Sequence, residues 1–369
     1  MKKMYLTILS ALTLITANAT ENPTKSAEDP KPLTFSGYVD TYYQVNFNGV
    51  RSNLGASGFE RIFDQNANSI QVGLAQFKTT YSTSKVDGVI DLVFGNAADL
   101  GNYGNVASPI TGSTSTALAI KQAYLTWKAT DKFSITAGQF GTHVGYEVID
   151  AYVNYNYSLS NLFGNGPFYH TGVKATVAPS DKFSFTFGLA NGLDTKQDNN
   201  KGKGIIGQIY LKPTEKWNVY LNYFGSNEGT DDDKSFYNII DLTTTMAVTE
   251  KFNLGLNAAY GTQDGLGWGG VALYANTQLS EKFGLGLRYE HFDNNSAIRA
   301  LLKADGTGAI VDSFTLTGNV TISENLLFKP EFRFDGYNKG KAGSEQFVDK
   351  DGKGKDSQAT LGGALIFYF

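Results

Sequence analysis

Five times along the chain a small hydroxyl residue, an acid and a lysine stand directly before an aromatic. The copies are Thr130-Asp131-Lys132-Phe133, Ser180-Asp181-Lys182-Phe183, Thr214-Glu215-Lys216-Trp217, Thr249-Glu250-Lys251-Phe252 and Ser280-Glu281-Lys282-Phe283. Ser323-Glu324-Asn325-Leu326 is a looser copy and Ser82 to Asp87 a degenerate one, which makes seven. Short hydroxyl and acidic residues favour a tight polar turn, and an aromatic suits the first position of a strand. Alternation begins at once: Phe183, Phe185, Phe187 and Leu189 alternate with Ser184, Thr186, Gly188 and Ala190. The same holds for Phe252, Leu254, Leu256, Ala258 and Tyr260, and for Trp217, Val219, Leu221 and Tyr223. Period two over eight residues or so means strands with one apolar and one polar face. The chain therefore reads as a series of antiparallel hairpins.

The chemistry of the two faces separates a soluble sandwich from a membrane barrel. A sandwich buries its apolar faces and exposes outer faces that usually carry many charges. Here the polar faces are mostly Gly, Ser, Thr, Asn and Ala, and charged residues make up 18% of the chain against the usual ~25%. The 369 residues also hold 41 Gly, 25 Phe and 21 Tyr. That composition fits lipid outside, a polar lumen inside and aromatics at the membrane interface. There is no Cys, which excludes disulfides, thiolate metal sites, iron–sulfur clusters and cysteine nucleophiles. A net charge of −4 with no basic run gives no footprint for nucleic acid.

The acids of the clear turns, from Asp131 through Asp181, Glu215, Glu250 and Glu281 to Glu324, stand 50, 34, 35, 31 and 43 residues apart. Two strands of about ten residues each leave the remainder for a loop at the opposite end. Polar, Gly-rich loops are expected at Gly95 to Ser115, Asp194 to Lys203, Asn227 to Ser235, Asn294 to Ala309 and Gly336 to Asp356. Short periplasmic turns and long extracellular loops are the asymmetry of an outer-membrane barrel. Seven turns with both termini on their side make an all-β, up-and-down, transmembrane antiparallel barrel of sixteen strands, with fourteen or eighteen as alternatives. The first strand is expected at Phe35 to Phe47 and the last at Gln358 to Phe369. Sixteen strands enclose a lumen wide enough for an open aqueous channel.

Residues 1–19 read as a cleaved export signal: Lys2 and Lys3, an apolar stretch from Met4 to Ala17, and the small-residue site Ala17-Asn18-Ala19. Residues 20–34 read as a short periplasmic linker and 35–369 as the barrel of a bacterial outer-membrane protein. The terminal alternation closing on Phe369 looks like the signal that the outer-membrane assembly machinery engages.

Alternation also assigns the charges. In the segment Phe328, Pro330, Phe332, Phe334 the opposite face is Lys329, Glu331, Arg333 and Asp335, and beside Leu287 and Tyr289 stand Arg288 and Glu290. Asp40, Asp91 and Asp241 likewise sit between apolar neighbours. A charge on the lipid face costs about 2–4 kcal/mol at the midplane, so all nine should point inward as candidate pore-lining residues. Both signs occur, so the expected ion selectivity is weak, and the same residues could instead pair with one another and brace the wall.

Three segments together resemble the OmpL-like β-barrel porin family of bacterial outer membranes. They are Ser36-Gly37-Tyr38-Val39-Asp40-Thr41-Tyr42-Tyr43, the run from Gly138-Gln139-Phe140-Gly141 through His143 and Glu147 to Asp150, and Pro167-Phe168-Tyr169-His170-Thr171-Gly172-Val173. The last two are separated by Asn154-Tyr155-Asn156-Tyr157-Ser158. The resemblance runs from about Phe35 to Phe369 and implies a porin, with no catalytic residues to carry over.

His143, Glu147, Asp150 and His170 fall on or beside a long third loop, Gly141 to Tyr169. A hydrolase would need a Ser, His and acid in mutual reach, and no Gly-x-Ser-x-Gly elbow is present. His143, Glu147 and Asp150 are therefore taken as a constriction loop that packs into the mouth. Asp349 to Asp356 resembles half a calcium loop but carries lysines where oxygen ligands belong, so no metal and no cofactor is expected. The function these features imply is a non-enzymatic, water-filled channel for passive diffusion of small hydrophilic solutes and ions. A surface-loop adhesin or receptor is the alternative, and a barrel hydrolase a weaker one. Membrane lipid is an expected partner, and a homotrimer is expected from the architecture alone.

Overall fold

The computed structural model describes residues 32–55, 60–101, 119–198, 200–338 and 345–369. The export signal lies outside the described residues, as do most of the linker and most of the loop expected at Gly95 to Ser115. Fifteen wall strands run in order: β1 (Leu33–Asn46), β2 (Gln71–Ser82), β3 (Val86–Phe94), β4 (Ile120–Thr130), β5 (Phe133–Gly141), β6 (Tyr169–Ser180), β7 (Phe183–Ala190), β8 (Gly204–Thr214), β9 (Trp217–Asn227), β10 (Phe236–Ala247), β11 (Phe252–Gln263), β12 (Leu266–Ser280), β13 (Phe283–Asp293), β14 (Ile310–Ser323) and β15 (Leu326–Tyr337). A two-residue hairpin in the last loop, β16 (Phe347–Val348) with β17 (Gly354–Lys355), precedes the sixteenth wall strand, β18 (Ser357–Tyr368). Each wall strand pairs antiparallel with its sequence neighbour, and β18 pairs with β1 to close the barrel. The sixteen-strand expectation holds. β1 starts two residues before Phe35, and Phe369 still exchanges backbone hydrogen bonds with Gly37 at 3.1 and 3.0 Å.

All seven expected turns connect strands at one end, and their shared sequence has a local cause. In the five clear copies the hydroxyl accepts the backbone N–H of the lysine two residues on: Lys132 to Thr130, Lys182 to Ser180, Lys216 to Thr214, Lys251 to Thr249 and Lys282 to Ser280, at 3.2–3.3 Å. This side-chain turn satisfies a donor that the ladder cannot reach at the hairpin tip. In the degenerate copy Thr83 takes that role, accepting from Lys85 and Val86.

At the other end the connections are L1 (47–70), L2 (95–119), L3 (142–168), L4 (191–203), L5 (228–235), L6 (264–265), L7 (294–309) and L8 (338–356). L2 opens with a short helix, α1 (Asn96–Leu100), and L3 contains another, α2 (Asn161–Asn165). L6 departs from the expected row of long loops. Its two residues, Asp264 (φ 52°) and Gly265 (φ 82°), both lie in the left-handed region, the geometry of a type I′ hairpin. This accounts for the 31-residue interval, the shortest of the series.

The outer face is apolar over most of the wall, interrupted near its loop end by the exposed pair His291 and Asp312. Val39, Ile90, Leu125, Leu221, Ile240, Tyr289, Phe328 and Phe334 are exposed there, whereas the residues between them in sequence face inward. Leu221, fifth of the eleven residues of β9, lies near mid-height. Leu221→Arg should destabilise the folded protein by about 2–4 kcal/mol, measured as reversible unfolding in phospholipid vesicles. An unchanged midpoint would mean that this face does not meet hydrocarbon.

Candidate functional site: a loop docked across the lumen

L3 leaves β5 after Gly141 and returns to β6 at Tyr169. Its path can be followed by its contacts with the inner wall. Thr142 Oγ1 lies 3.0 Å from His170 Nε2 on β6, and His143 Nε2 lies 2.8 Å from the Tyr223 carbonyl on β9. The Gly145 N–H donates to Asp241 on β10 at 3.0 Å, and Tyr146 stacks on Tyr274 of β12 with ring centroids 4.1 Å apart. Glu147 ion-pairs with Arg288 on β13. Asp150 ion-pairs with Lys121 on β4 and accepts from Gln76 on β2 at 2.8 Å. The loop thus reaches opposite sides of the barrel.

Its return leg is fastened as densely. Lys329 on β15 donates to the carbonyls of Ala151 and Asn154. The Asn156 amide donates to Thr317 on β14 at 2.8 Å. Glu331 accepts the N–H groups of Tyr157 (2.7 Å) and Ser158 (3.0 Å), while the Tyr157 hydroxyl donates to Asp40 on β1. Arg333 donates to the Leu159 carbonyl at 2.8 Å. Glu290 accepts the first two N–H groups of α2, from Asn161 and Leu162, both at 2.8 Å. Inside the loop, Ser160 caps α2 by accepting from Phe163 at 3.0 Å, and Glu147 accepts the Ser160 N–H at 2.7 Å.

Every one of the nine inward charges anticipated from alternation is therefore on the lumen side, and none is more than 9% exposed. Asp40, Asp241, Arg288, Glu290, Lys329, Glu331 and Arg333 touch L3 directly. Asp91 accepts from Gln76 and Gln122 and faces Lys121 at 3.6 Å, so it meets L3 through the two side chains that hold Asp150. Asp335 pairs with Arg333 and with Arg61 of L1, which also reaches Thr360 on β18 at 3.2 Å. Buried carboxylates in such a wall are stable only when hydrogen-bonded or paired, and here each finds a backbone N–H, a side-chain amide or a guanidinium, Asp40 taking the Leu74 N–H of β2 at 2.9 Å beside the Tyr157 hydroxyl.

His143, Glu147 and Asp150 sit on the inward loop, but as three anchors of it, on β9, β13 and β4 respectively, and not as one cluster. His170 packs against Phe224, with ring centroids 4.4 Å apart, and is fully buried. Sequence reasoning missed Arg61, Lys121, Tyr157, Ser158 and Asn161. The stretch Asn154 to Ser158 is distinctive in the sequence, yet nothing in it marks which backbone N–H groups the wall carboxylates would seek. At the outer mouth Gln346 of L8 donates to the Leu302 carbonyl of L7 at 2.6 Å and to Glu60 of L1, tying three loops together. In the half-calcium stretch the Asp349 carboxylate accepts the N–H groups of Lys353 and Asp351, both at 3.0 Å, and meets Lys355. These donors, Lys353 first, hold its carboxyl below the usual carboxylate range. Among the described residues no group of three His or acidic side chains could hold a metal.

A closed sixteen-strand barrel with an apolar exterior, a polar interior and one loop folded inward defines an outer-membrane barrel of porin architecture. The chain belongs to the family described as Putative beta-barrel porin-2, OmpL-like, whose model matches residues 32–369. Solved structures of similar fold include an anion-selective porin from Comamonas acidovorans (12% identity, TM-score 0.57, covering 91% of this chain and 99% of that one). OmpT, an outer-membrane protein of Vibrio cholerae solved in trimer form, is similar at 13% identity and TM-score 0.56, over 91% and 99% of the two chains. OmpF of Salmonella typhi, in complex with daunomycin, is similar at 12% and 0.55, over 91% and 97%. At these identities the likeness is one of fold. No curated protein matches the chain.

Proposed function

We propose that the barrel is a passive channel for small hydrophilic solutes and ions, with L3 setting its aperture. The observation that carries this reading is the uneven filling of a wide lumen by the described residues. L3 is anchored most densely on β10–β15 and β1, whereas Tyr124, Thr126, Thr176 and Tyr210 on β4, β6 and β8 keep partly exposed inward side chains. Hydroxyl groups on that side can hydrogen-bond passing water and solute without holding them, which is what conduction needs. The same reading takes the strand ending in Phe369 as the segment engaged by the assembly machinery and a homotrimer as the working form. Refolded protein in planar bilayers should insert in discrete conductance steps; barrels that insert without passing current would overturn the proposal.

A further inference from the structure

The sixteen wall strands contain eight basic residues: Lys78, Lys121, Lys128, Lys174, Lys212, Arg288, Lys329 and Arg333. Five are in ion pairs: Lys121 with Asp150, Lys128 with Asp87, Lys212 with Glu215, Arg288 with Glu147 and Arg333 with Asp335. Lys329 is spent on two loop carbonyls, and Lys78 stands directly opposite Asp91 in the register of β2 and β3. Lys174 differs from all of these. Among the described residues its ammonium forms no ion pair and no hydrogen bond, and its one close contact is the Phe140 ring, whose centroid is 4.3 Å away.

The surroundings of Lys174 explain why it is free. Its wall neighbours are Thr136 on β5 and Gly188 on β7, where a Cβ would come within 2.8 Å of the Lys174 Cβ. Neither offers a carboxylate. A cation over an aromatic face keeps its charge, since the ring attracts it without neutralising it. The side chain is partly exposed on the inner face of β6. The acids that could have balanced it are withdrawn: Asp40, Asp241, Glu290 and Glu331 are buried against the loop, and Asp91 among amides and Lys121.

We infer that the conducting path prefers anions, and that Lys174 is the residue with which a carboxylate or phosphate group of the passing solute pairs. This departs from the weak selectivity that counting charges of both signs suggests, because among the described wall cations Lys174 has neither an ion-pair partner nor a carboxylate opposite it in the register, while the acids are buried as anchors. A single fixed charge in a lumen that a docked loop constricts, flanked by low-dielectric walls, is enough to bias which ions enter.

The inference rests on the channel reading, and bilayer recording in a potassium chloride gradient tests the two separately. The wild-type reversal potential should correspond to chloride permeating roughly three-fold or more over potassium, as expected for one dominant fixed charge. Lys174→Gln should bring the ratio near unity and Lys174→Glu should reverse it, while Lys174→Arg keeps it. Citrate added to one side should shorten open times in the wild type and the arginine variant and not in the glutamine variant. Absence of any conductance overturns the channel reading itself. A conducting wild type without anion preference, or one whose ratio is unmoved in Lys174→Gln, overturns the inference and leaves the channel standing.

Discussion

Arg288→Met should unseat L3, raising single-channel conductance several-fold and lowering the stability of the barrel by about 3–5 kcal/mol, the cost typical of removing one partner of a buried ion pair. The arginine sits beneath the loop without solvent contact and donates to Glu147, to the Ser158 carbonyl at 2.7 Å and to Thr315 on the next strand at 3.2 Å. Its loss leaves the Glu147 carboxylate buried with only the Ser160 N–H among the described residues to satisfy it, and removes a positive charge that acts on Glu290. Recording conductance and unfolding on the same preparation separates an opened channel from a general loss of folded protein. The paired variant Glu147→Met/Arg288→Met removes both charges at once and should recover much of the stability lost in the single variant. If the single variant matches wild type in both measurements, the ion pair does not hold the loop.

A second substitution reaches the same loop through shape. Gly286 on β13 faces inward, and a Cβ there would stand 2.8 Å from the Tyr155 Cβ and 3.2 Å from the Tyr155 carbonyl oxygen. Backbone atoms cannot swing aside, so Gly286→Val must push the loop away from the wall, at a cost of about 1–3 kcal/mol for overpacking. Valine is well suited to a strand, so the strand itself should tolerate it. The expected outcome is a conductance rise like that of Arg288→Met and new chymotryptic cleavage at the L3 tyrosines. Gly255→Ala is the milder companion, because its Cβ meets the Tyr146 ring, which can rotate, rather than backbone. A Gly286→Val loop as protease-resistant as wild type would show that Tyr155 yields without undocking.

The wall was legible because its rules are local. The hydroxyl of each turn bonds a lysine two residues away, and the alternation that places Lys329 inward is set by Phe328 and Pro330 beside it. The inward loop was foreshadowed by the 50-residue interval between Asp131 and Asp181. What the charges do inside was not legible, since their partners are distant in sequence: Arg288 meets Glu147 across 141 positions and Lys329 meets Ala151 across 178. Alternation gives the side of the wall and not the depth. It cannot show that Asp241 will receive a loop N–H while Lys174 receives nothing. L6 escaped for the opposite reason: Asp264-Gly265 is a strong two-residue turn signal, but it stands on the side where long loops were expected.

The contacts of Tyr157 have a consequence in time. Its hydroxyl reaches Asp40 on β1 and its N–H reaches Glu331 on β15, the two strands that flank β18. These partners come to their final spacing only when β18 has paired with both β1 and β15. The middle of the chain thus waits for both ends. Docking of this segment on both of its partners therefore presupposes the closed seam between β1 and β18.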